Sequence, residues 1–335
     1  MKRLTRLFSC VLILLILTSF SVVQAAPQKL TIHYLDVGQA DSILIQSPEG
    51  KTMLIDAGNK DDSDTIQAYL DKLKVKKIDI LLATHPHEDH IGGMAAIVKS
   101  YPIGKIYMPK AVTTTAAYKY LLTAIKAKGL KVTTATSGAS ISLDNTIELA
   151  MLAPNSAEYE DLNNYSAVVK LTYSKTSFLF TGDAEDVSEA EMLKKKYDLK
   201  ADVLKVGHHG SESSTTPDFL KAVSPKYAII SVGKDNDYGH PHKDTLDRLV
   251  KAKVNIYRTD LLGTIIVTSD GKTITVNKTA SQVKTSDPVN QTVYITKTGK
   301  AYHKDGCRYL SNSKIAILLS DAKANGYKPC SICKP

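Results

Sequence analysis

The residues best suited to chemistry lie together in one short segment. Residues 84–93 read Thr-His-Pro-His-Glu-Asp-His-Ile-Gly-Gly, so three histidines and two acids fall within residues 85–90 of a chain that has 9 histidines in all. A divalent metal explains such a cluster because it binds imidazole and carboxylate groups at once. The alternative is a polar surface loop whose histidines cluster by chance.

The neighbouring elements predict where this cluster lies. Residues 78–83 form an apolar run that predicts a strand, so the cluster should follow the strand's C-terminal end. Pro86 disfavours a helical conformation at His85, and we therefore expect a loop that enters a helix near Gly93. Strand and turn signals alternate over residues 28–58, and strand and helix patterns alternate after them, which favours a layered α/β domain.

Two later segments repeat this design of a strand that ends in polar side chains. Residues 178–180 lead into Thr-Gly-Asp at 181–183, and residues 203–206 lead into Gly-His-His-Gly at 207–210. A carboxylate in the first motif could bridge two metals. Alone, Thr-Gly-Asp would be an ordinary turn, but the order of the three motifs favours a metal site.

The same order resembles the metallo-β-lactamase superfamily, in which His-x-His-x-Asp-His supplies ligands to two adjacent metals. The resemblance implies an αββα sandwich. A narrower resemblance covers roughly residues 28–270 and is to the extracellular hydrolase domain of the DNA-uptake competence protein ComEC. The segments that carry it are Leu35-Asp36-Val37-Gly38-Gln39, Asn164-Tyr165-Ser166-Ala167-Val168-Val169, Val206-Gly207-His208-His209-Gly210-Ser211 and Tyr238-Gly239-His240-Pro241-His242.

The resemblance implies the metal ligands. One metal would be held by His85 and His87, the other by Asp89, His90 and His208, and both by Asp183. Many superfamily members have a further histidine before Thr-Gly-Asp, whereas this chain has Asn163, Asn164 and Ser166 in that region. Oxygen-rich coordination suits manganese as well as zinc, so both metals remain open.

Other residues are expected to act around the metals. Asp89, Asp183 and His209 would be the catalytic residues, with His209 protonating a leaving group or binding phosphate. Asp36 would orient His85 or brace its own loop rather than contact metal. His240 and His242 would reach the substrate, unless they cap the next helix or bond a backbone carbonyl.

This chemistry predicts hydrolysis of a phosphodiester, most simply DNA, by a metal-activated hydroxide. Two alternatives stay open: the same site could act on another ester, such as phosphorylcholine on wall polymers, a lactam or a thioester, or the protein could bind without catalysis. Beyond residue 25 no segment is long and apolar enough to span a bilayer, so no transmembrane channel is expected.

The N-terminal residues predict export. Residues 1–25 have a basic start, an apolar core and small residues at Val23 and Ala25, which is typical of a secretory signal cleaved after Ala25; an uncleaved anchor is the alternative. Cleavage would remove three cations and no acid, so the formal charge would fall from +9 to +6. So modest a charge points only weakly to nucleic acid.

A second, smaller unit is predicted after a Ser-, Thr- and Lys-rich linker at residues 277–292. Residues 293–335 contain four ligands of the kind zinc prefers, His303, Cys307, Cys330 and Cys333. A structural zinc would stabilise so short a module, which loosely resembles the metal-binding domain of the Ada DNA-repair protein. A Cys330–Cys333 or Cys307–Cys330 disulfide is the alternative. The module is basic, which would suit DNA or a surface polymer as its partner; the alternative is that its scattered lysines are only a solvated face.

Overall fold

The computed structural model describes residues 29–281 and 292–333. The predicted signal segment and most of the predicted linker lie outside these residues. The strands of the first part are β1 (Leu30–Tyr34), β2 (Ile43–Gln46), β3 (Thr52–Ile55), β4 (Ile78–Leu82), β5 (Ile103–Met108), β6 (Val132–Thr134), β7 (Glu148–Ala153), β8 (Val168–Tyr173), β9 (Thr176–Phe180), β10 (Val203–Lys205), β11 (Tyr227–Ile230), β12 (Asn255–Arg258), β13 (Ile265–Ser269) and β14 (Ile274–Val276).

The helices of this part are short and connect successive strands. They are α1 (Ser63–Lys72), α2 (Glu88–Ile91), α3 (Met94–Ser100), α4 (Ala116–Ala127), α5 (Asp186–Lys194), α6 (Pro217–Val223), α7 (Lys243–Lys251) and α8 (Thr259–Leu262). Single 3₁₀ turns occur at Lys60–Asp62, Leu162–Tyr165 and Gly207–Gly210.

The strands form two sheets that pack face to face. One sheet has the order β14-β13-β1-β2-β3-β4-β5-β6, and the other has the order β12-β11-β10-β9-β8-β7. Because side chains alternate along a strand, Ile43 and Ile45 of β2 point into the core between the sheets together with Phe178 and Phe180 of β9. Leu44 points to the opposite face.

Helices cover the outer face of each sheet. Ile66 of α1 and Leu121 of α4 pack in one outer core with Leu81 of β4. Phe219 of α6 and Leu249 of α7 pack in the other. The layers are therefore helix, sheet, sheet and helix, which confirms the predicted αββα sandwich.

The structure differs from the predicted boundaries in two places. A single helical turn, α2, precedes the helix predicted near Gly93: α2 begins at Glu88 with His87 as its N-cap, and α3 then begins at Met94 with Gly93 as its N-cap. The predicted linker also starts too early: Asn277 accepts a hydrogen bond from the amide of Ile266 at 2.8 Å, and the amide of Ser281 bonds the carbonyl of Ile256 at 2.7 Å. Residues 277–281 are thus attached to the sandwich.

The C-terminal unit is small and has its own core. It contains β15 (Thr292–Ile295), β16 (Ala301–Tyr302), β17 (Ile315–Leu318), α9 (Leu319–Ala324) and β18 (Lys328–Pro329). Val293, Ile295 and Tyr302 are buried together. Among the residues that the structure describes, no helix is long and apolar enough to cross a membrane.

Candidate metal centre and active site

The polar motifs converge because they follow strands of both sheets at the same rim. β3 and β4 run parallel in one sheet, and β9 and β10 run parallel in the other. The carboxyl ends of parallel strands meet at one edge, so the segments that leave these strands lie side by side. Asp56, His85, Asp183 and His209 are carried by those four segments.

Local structure brings Asp89 and His90 into this rim. With His87 at the N-cap, both residues fall in the only turn of α2 and face back toward the strand ends. Gly182 permits a close approach from the other sheet, because its φ of 51° is left-handed and a Cβ there would lie 2.8 Å from Cβ of Thr84. Asp183 can therefore reach the His90 side of the rim.

Four side chains meet at the centre of the site. One ligand atom from each of Asp89, His90, Asp183 and His209 lies within 4.8 Å of the other three. Nε2 of His90 is 3.2 Å from Oδ2 of Asp183 and 3.5 Å from Oδ2 of Asp89. Nε2 of His209 is 3.1 Å from Oδ2 of Asp89. The arrangement mixes imidazole nitrogen and carboxylate oxygen, as divalent metals require.

The far side of His90 is held by Asp56. Nδ1 of His90 donates to Oδ2 of Asp56 at 2.8 Å, and Asp56 also accepts from the backbone amide and hydroxyl of Thr84 at 2.8 and 2.6 Å. Asp56 thus holds Nδ1, and Nε2 faces the two central carboxylates. A carboxylate that holds the second nitrogen in this way fixes a ligating imidazole and raises its basicity.

His85 and His87 form the neighbouring pair. Nδ1 of His85 lies 3.2 Å from the hydroxyl of Thr84 and 3.4 Å from that of Ser166, while its Nε2 faces Nδ1 of His87 at 2.9 Å. Burial, followed by the nearby His90, holds the pKa of His85 well below its usual value. The facing nitrogens of His85 and His87, with His85 kept neutral by its low pKa, suit a second cation.

The paired histidines of the Gly207–Gly210 turn point to different places, because His208 and His209 both have left-handed backbone angles. Nδ1 of His209 donates to the carbonyl of Ser231 at 2.9 Å, which leaves Nε2 for the centre. Nδ1 of His208 instead pairs with Glu185 at 3.0 Å, and its Nε2 is 3.9 Å from Asp183. His209 therefore occupies the position that the sequence predicts for His208.

Asp36 lies away from the histidines. It is exposed, and its Oδ1 accepts from the amide of Gly38 at 3.4 Å, so it braces its own loop, which was one of its two predicted roles. The other role, orienting His85, is wrong for Asp36, because Thr84 and Ser166 contact that ring. The carboxylate that orients a histidine is Asp56, which the sequence shows only as the residue after β3.

A buried ion pair joins the two sheets beneath the centre. Nζ of Lys205, at the end of β10, is 2.8 Å from Oδ2 of Asp41, and neither side chain is more than 1% exposed. The amide of Asp41 also donates to the carbonyl of Asp89 at 3.1 Å. Sequence inspection did not single out either residue, since only the tertiary fold brings them together.

The charges at the centre are strongly coupled. Burial alone would lower the pKa of His90, but the carboxylates of Asp183, Asp89 and Asp56 together raise it well above its usual value. Burial would likewise raise the pKa of Asp183, yet His90 and His209 hold it well below its ordinary range. The carboxylates of Asp89 and Asp183 are therefore ionised, and the centre attracts cations.

Above the centre lies an open cleft of about 340 Å³ that includes Asp89, Asp183, His208, Tyr238 and His240 in its lining. Burial, together with the nearby imidazoles, lowers the pKa of His240 to about 3. His240 thus lies where the sequence predicts a substrate contact. His242 does not line the cleft: Nδ1 accepts from the amide of Glu212 at 3.0 Å and Nε2 donates to the carbonyl of Tyr238 at 3.2 Å, which was its alternative role.

Two atoms at the centre test whether a metal fits these residues. Nε2 of His90 and Oδ1 of Asp183 are buried and have no hydrogen-bond partner among the described residues. Leaving a buried polar atom unpaired costs about 1–3 kcal/mol, so both atoms call for a partner that protein does not supply. A divalent cation provides one, and the donor set fits it.

A model of one family matches most of the sandwich. The description of this family is the metallo-β-lactamase superfamily, and the match covers residues 35–234. The chain belongs to the metallo-β-lactamase superfamily. The αββα layers and the rim of His and Asp side chains at the strand ends are consistent with this membership.

Several curated relatives of this superfamily member are competence and recombination proteins. ComE operon protein 3 of Bacillus subtilis is 30% identical over 251 residues, which cover 70% of this chain and 32% of the relative. Recombination protein 2 of Haemophilus influenzae is 30% identical over 76% of this chain and 31% of its own length. For competence protein ComA of Neisseria gonorrhoeae the values are 30%, 69% and 31%. The chain thus spans about a third of each relative.

One superfamily ligand is replaced in this chain. Where many metallo-β-lactamase proteins have a histidine, Asn163 lines the cleft, and its buried Oδ1 has no hydrogen-bond partner within the described residues. Ser166 contacts His85 and accepts from the amide of Asp183 at 3.0 Å. An amide oxygen is thus available at the site in place of an imidazole nitrogen.

The C-terminal unit, which the superfamily match does not cover, has a second cluster of ligands. One atom from each of His303, Cys307, Cys330 and Cys333 lies within 4.8 Å of the other three. Nδ1 of His303 is 3.2 Å from Sγ of Cys307, and the three cysteines are free thiols. The structure brings all four predicted ligands together and contains neither alternative disulfide.

Proposed function

We propose that this protein is a secreted, metal-dependent phosphodiesterase that hydrolyses DNA. The observation that carries the proposal is the convergence of Asp89, His90, Asp183 and His209 on one point, with two buried atoms left unpaired. The superfamily consists largely of metal-dependent hydrolases, and the names of its relatives refer to competence and recombination, which favours DNA over other esters.

The chain's residues divide the work of such a reaction. One divalent cation, zinc or manganese, would be held by Asp89, His90, Asp183 and His209. A second would be held by His85 and His87 with Asp183. When bound, the cations supply activation of water and neutralise charge on the phosphoryl group.

The cleft residues act on the substrate rather than on the metal. His208 is partly exposed there, with Nδ1 fixed by Glu185, and its Nε2 is free to contact a leaving-group oxygen. We therefore propose that His208, rather than His209, protonates the leaving group or binds phosphate. Nδ1 of His240 accepts from Nε2 of the Gln39 side chain at 3.4 Å, which leaves a proton on Nε2 of His240 for a phosphate oxygen.

Export completes the proposal. The signal predicted at residues 1–25 would direct the protein out of the cell, and the relatives that are competence proteins suggest a role near imported or environmental DNA. The match covers about a third of their length, so activities that reside in the remaining two thirds are not carried over.

The decisive experiment incubates the purified protein with end-labelled single- and double-stranded DNA in manganese or zinc. We expect the wild type to degrade DNA and Asp183→Asn to lose at least about a hundredfold in rate, since that variant keeps the shape but removes a charge at the centre. Asp186→Asn is the matched control, because Asp186 lies three residues away, is exposed, and uses its Oδ1 to accept from the amide of Val187.

Two results would contradict the proposal. Intact DNA with every metal, while a simple phosphodiester is still cleaved, would indicate a small or wall-linked ester as substrate. Hydrolysis that is equal in the wild type and Asp183→Asn would show that the activity does not come from this site.

A further inference from the structure

Tyr238 is a large aromatic side chain that the fold leaves exposed at the mouth of the cleft. It is 67% exposed, although it lines the same cleft as Asp89 and Asp183. The ring lies beside the cation-attracting centre and most of its surface is open to solvent, so it is available to a ligand in the cleft.

The ring is the outermost member of a stack that leads out from the centre. His209 and His240 are 6.3 Å apart between ring centroids and 21° from parallel, and His240 and Tyr238 are 5.7 Å apart and 22° from parallel. These values are those of offset-stacked rings. One face of Tyr238 is therefore covered by His240, and the other face is the open end of the stack at the mouth of the cleft.

The loop that carries Tyr238 is fixed before any ligand arrives. Asn236 is buried in its middle, where its Nδ2 donates to the carbonyls of Gly233 and His240 at 2.9 and 2.7 Å. Its Oδ1 accepts from the amides of Tyr238 and His240 at 3.2 and 3.0 Å. A fixed loop loses little conformational entropy on binding, which is what a recognition surface needs.

We propose that Tyr238, backed by His240, is a stacking platform for a nucleobase next to the phosphate that is cleaved. The proposal rests on the proposed function and names its preferred substrate as single-stranded nucleic acid, whose bases are free to stack. Bases of an intact duplex already stack on one another and would not reach the platform.

The test compares two labelled oligonucleotides with equal numbers of phosphates, a short oligothymidylate and an abasic strand of the same length. Fluorescence anisotropy gives the affinity for the full chain, with Asp183→Asn present in every protein to prevent cleavage. We expect the normal strand to bind about 5- to 100-fold more tightly than the abasic strand, the range for base stacking on aromatic residues.

Variants of Tyr238 separate its ring from its hydroxyl. Tyr238→Ala is expected to make the two affinities equal, while Tyr238→Phe retains the preference because the ring remains. Tyr120→Ala is the matched control: Tyr120 is 57% exposed on α4, outside the cleft, and its loss should leave the preference unchanged.

Three outcomes would overturn the platform. These are equal binding of both strands by the parent protein, a preference that survives in Tyr238→Ala, and Tyr238-dependent binding of a soluble chitin oligomer in place of the base preference, which would assign the ring to a sugar polymer. Failure of the proposed function is read separately, as absence of DNA hydrolysis by the wild type.

Discussion

Asp56 shows how a residue that never contacts substrate can decide whether a centre binds metal. Its two oxygens accept three hydrogen bonds, from Nδ1 of His90 and from the amide and hydroxyl of Thr84. These contacts hold Nδ1, so Nε2 is the nitrogen that faces the centre and would bind a metal. The ligand is therefore prepared by a residue on the neighbouring strand.

Replacing Asp56 by asparagine should weaken metal binding without unfolding the sandwich. Asparagine offers one acceptor oxygen instead of two, so it cannot accept from both Nδ1 of His90 and the amide of Thr84, and we expect metal affinity to fall by about 10- to 100-fold. Competition against a chromophoric chelator measures it. Asp36→Asn is the matched control, and an equal loss in that exposed position would contradict the assignment.

Variants of the adjacent residues His208 and His209 should lose different properties. His209→Gln is expected to lose metal from the centre, because its Nε2 lies 3.1 Å from Asp89 and would be the ligand. His208→Gln should retain the metal but lower the turnover of DNA. Metal content by mass spectrometry and turnover are measured on the same samples; the opposite pattern would return the ligand role to His208.

The sequence predicted most of the ligand residues, but not all the residues that contact and orient them. His85, His87, Asp89, His90 and Asp183 could be selected because their order along the chain is visible. The choice between His208 and His209 depends on two left-handed residues in one turn, and the pairing of Asp56 with His90 on a contact between strands. Neither has a local signal.

Regular elements were easier to predict than their ends. The strand predicted at residues 78–83 is β4 (Ile78–Leu82), and the strand and turn signals over residues 28–58 correspond to β1, β2 and β3. The start of α2 was missed, because Pro86 was taken to delay the helix, whereas His87 adopts an extended conformation and the helix begins directly after it. Residues 277–281 were assigned to a linker because their bonds to the sheet are nonlocal.

Glu189, a buried acid between α5 and the start of α6, predicts that the stability of the fold depends on pH. Glu189 of α5 accepts from the amides of Thr215 and Thr216 at 2.5 and 2.8 Å, just before α6. Burial raises the pKa of Glu189 to about 7 from its ordinary value of 4.5. The folded state therefore binds this proton more tightly than the unfolded state does.

The sign of the effect follows from this difference. The stability that protonated Glu189 contributes is full below pH 4.5 and is lost as the pH rises to about 7, by about 3 kcal/mol at most. Glu189→Gln should remove this dependence, as urea unfolding at pH 5 and pH 8 can measure. Glu158→Gln, an exposed control, should keep it, and a wild-type curve that is flat between these values would contradict the prediction.

At the scale of the whole molecule, the described chain consists of a large sandwich and a small C-terminal unit with different means of stabilisation. The sandwich has three extensive apolar cores, whereas the C-terminal unit buries few side chains, among them Val293, Leu319 and Ala322. So small a core rarely supplies enough stability by itself.

Removing metal should therefore unfold the C-terminal unit first. We expect a strong chelator, or Cys330→Ser, to expose residues 292–333 to limited proteolysis, while residues 29–281 remain resistant. Ile332→Ser is the matched control, because Ile332 lies between the two cysteines and is 53% exposed. Unchanged protection after both treatments would favour a metal-free unit.

The division of the centre between the two sheets also bears on the order of folding. Asp89 and His209 are 120 residues apart in the chain, and each sheet carries only part of the ligand set. Contacts between such distant residues form late, after the two halves have docked. A metal that binds there stabilises the native state more than the transition state, and so slows unfolding rather than speeding folding. Metal at the centre would then increase kinetic stability, which prolongs the lifetime of the protein wherever unfolded chains are destroyed by proteases.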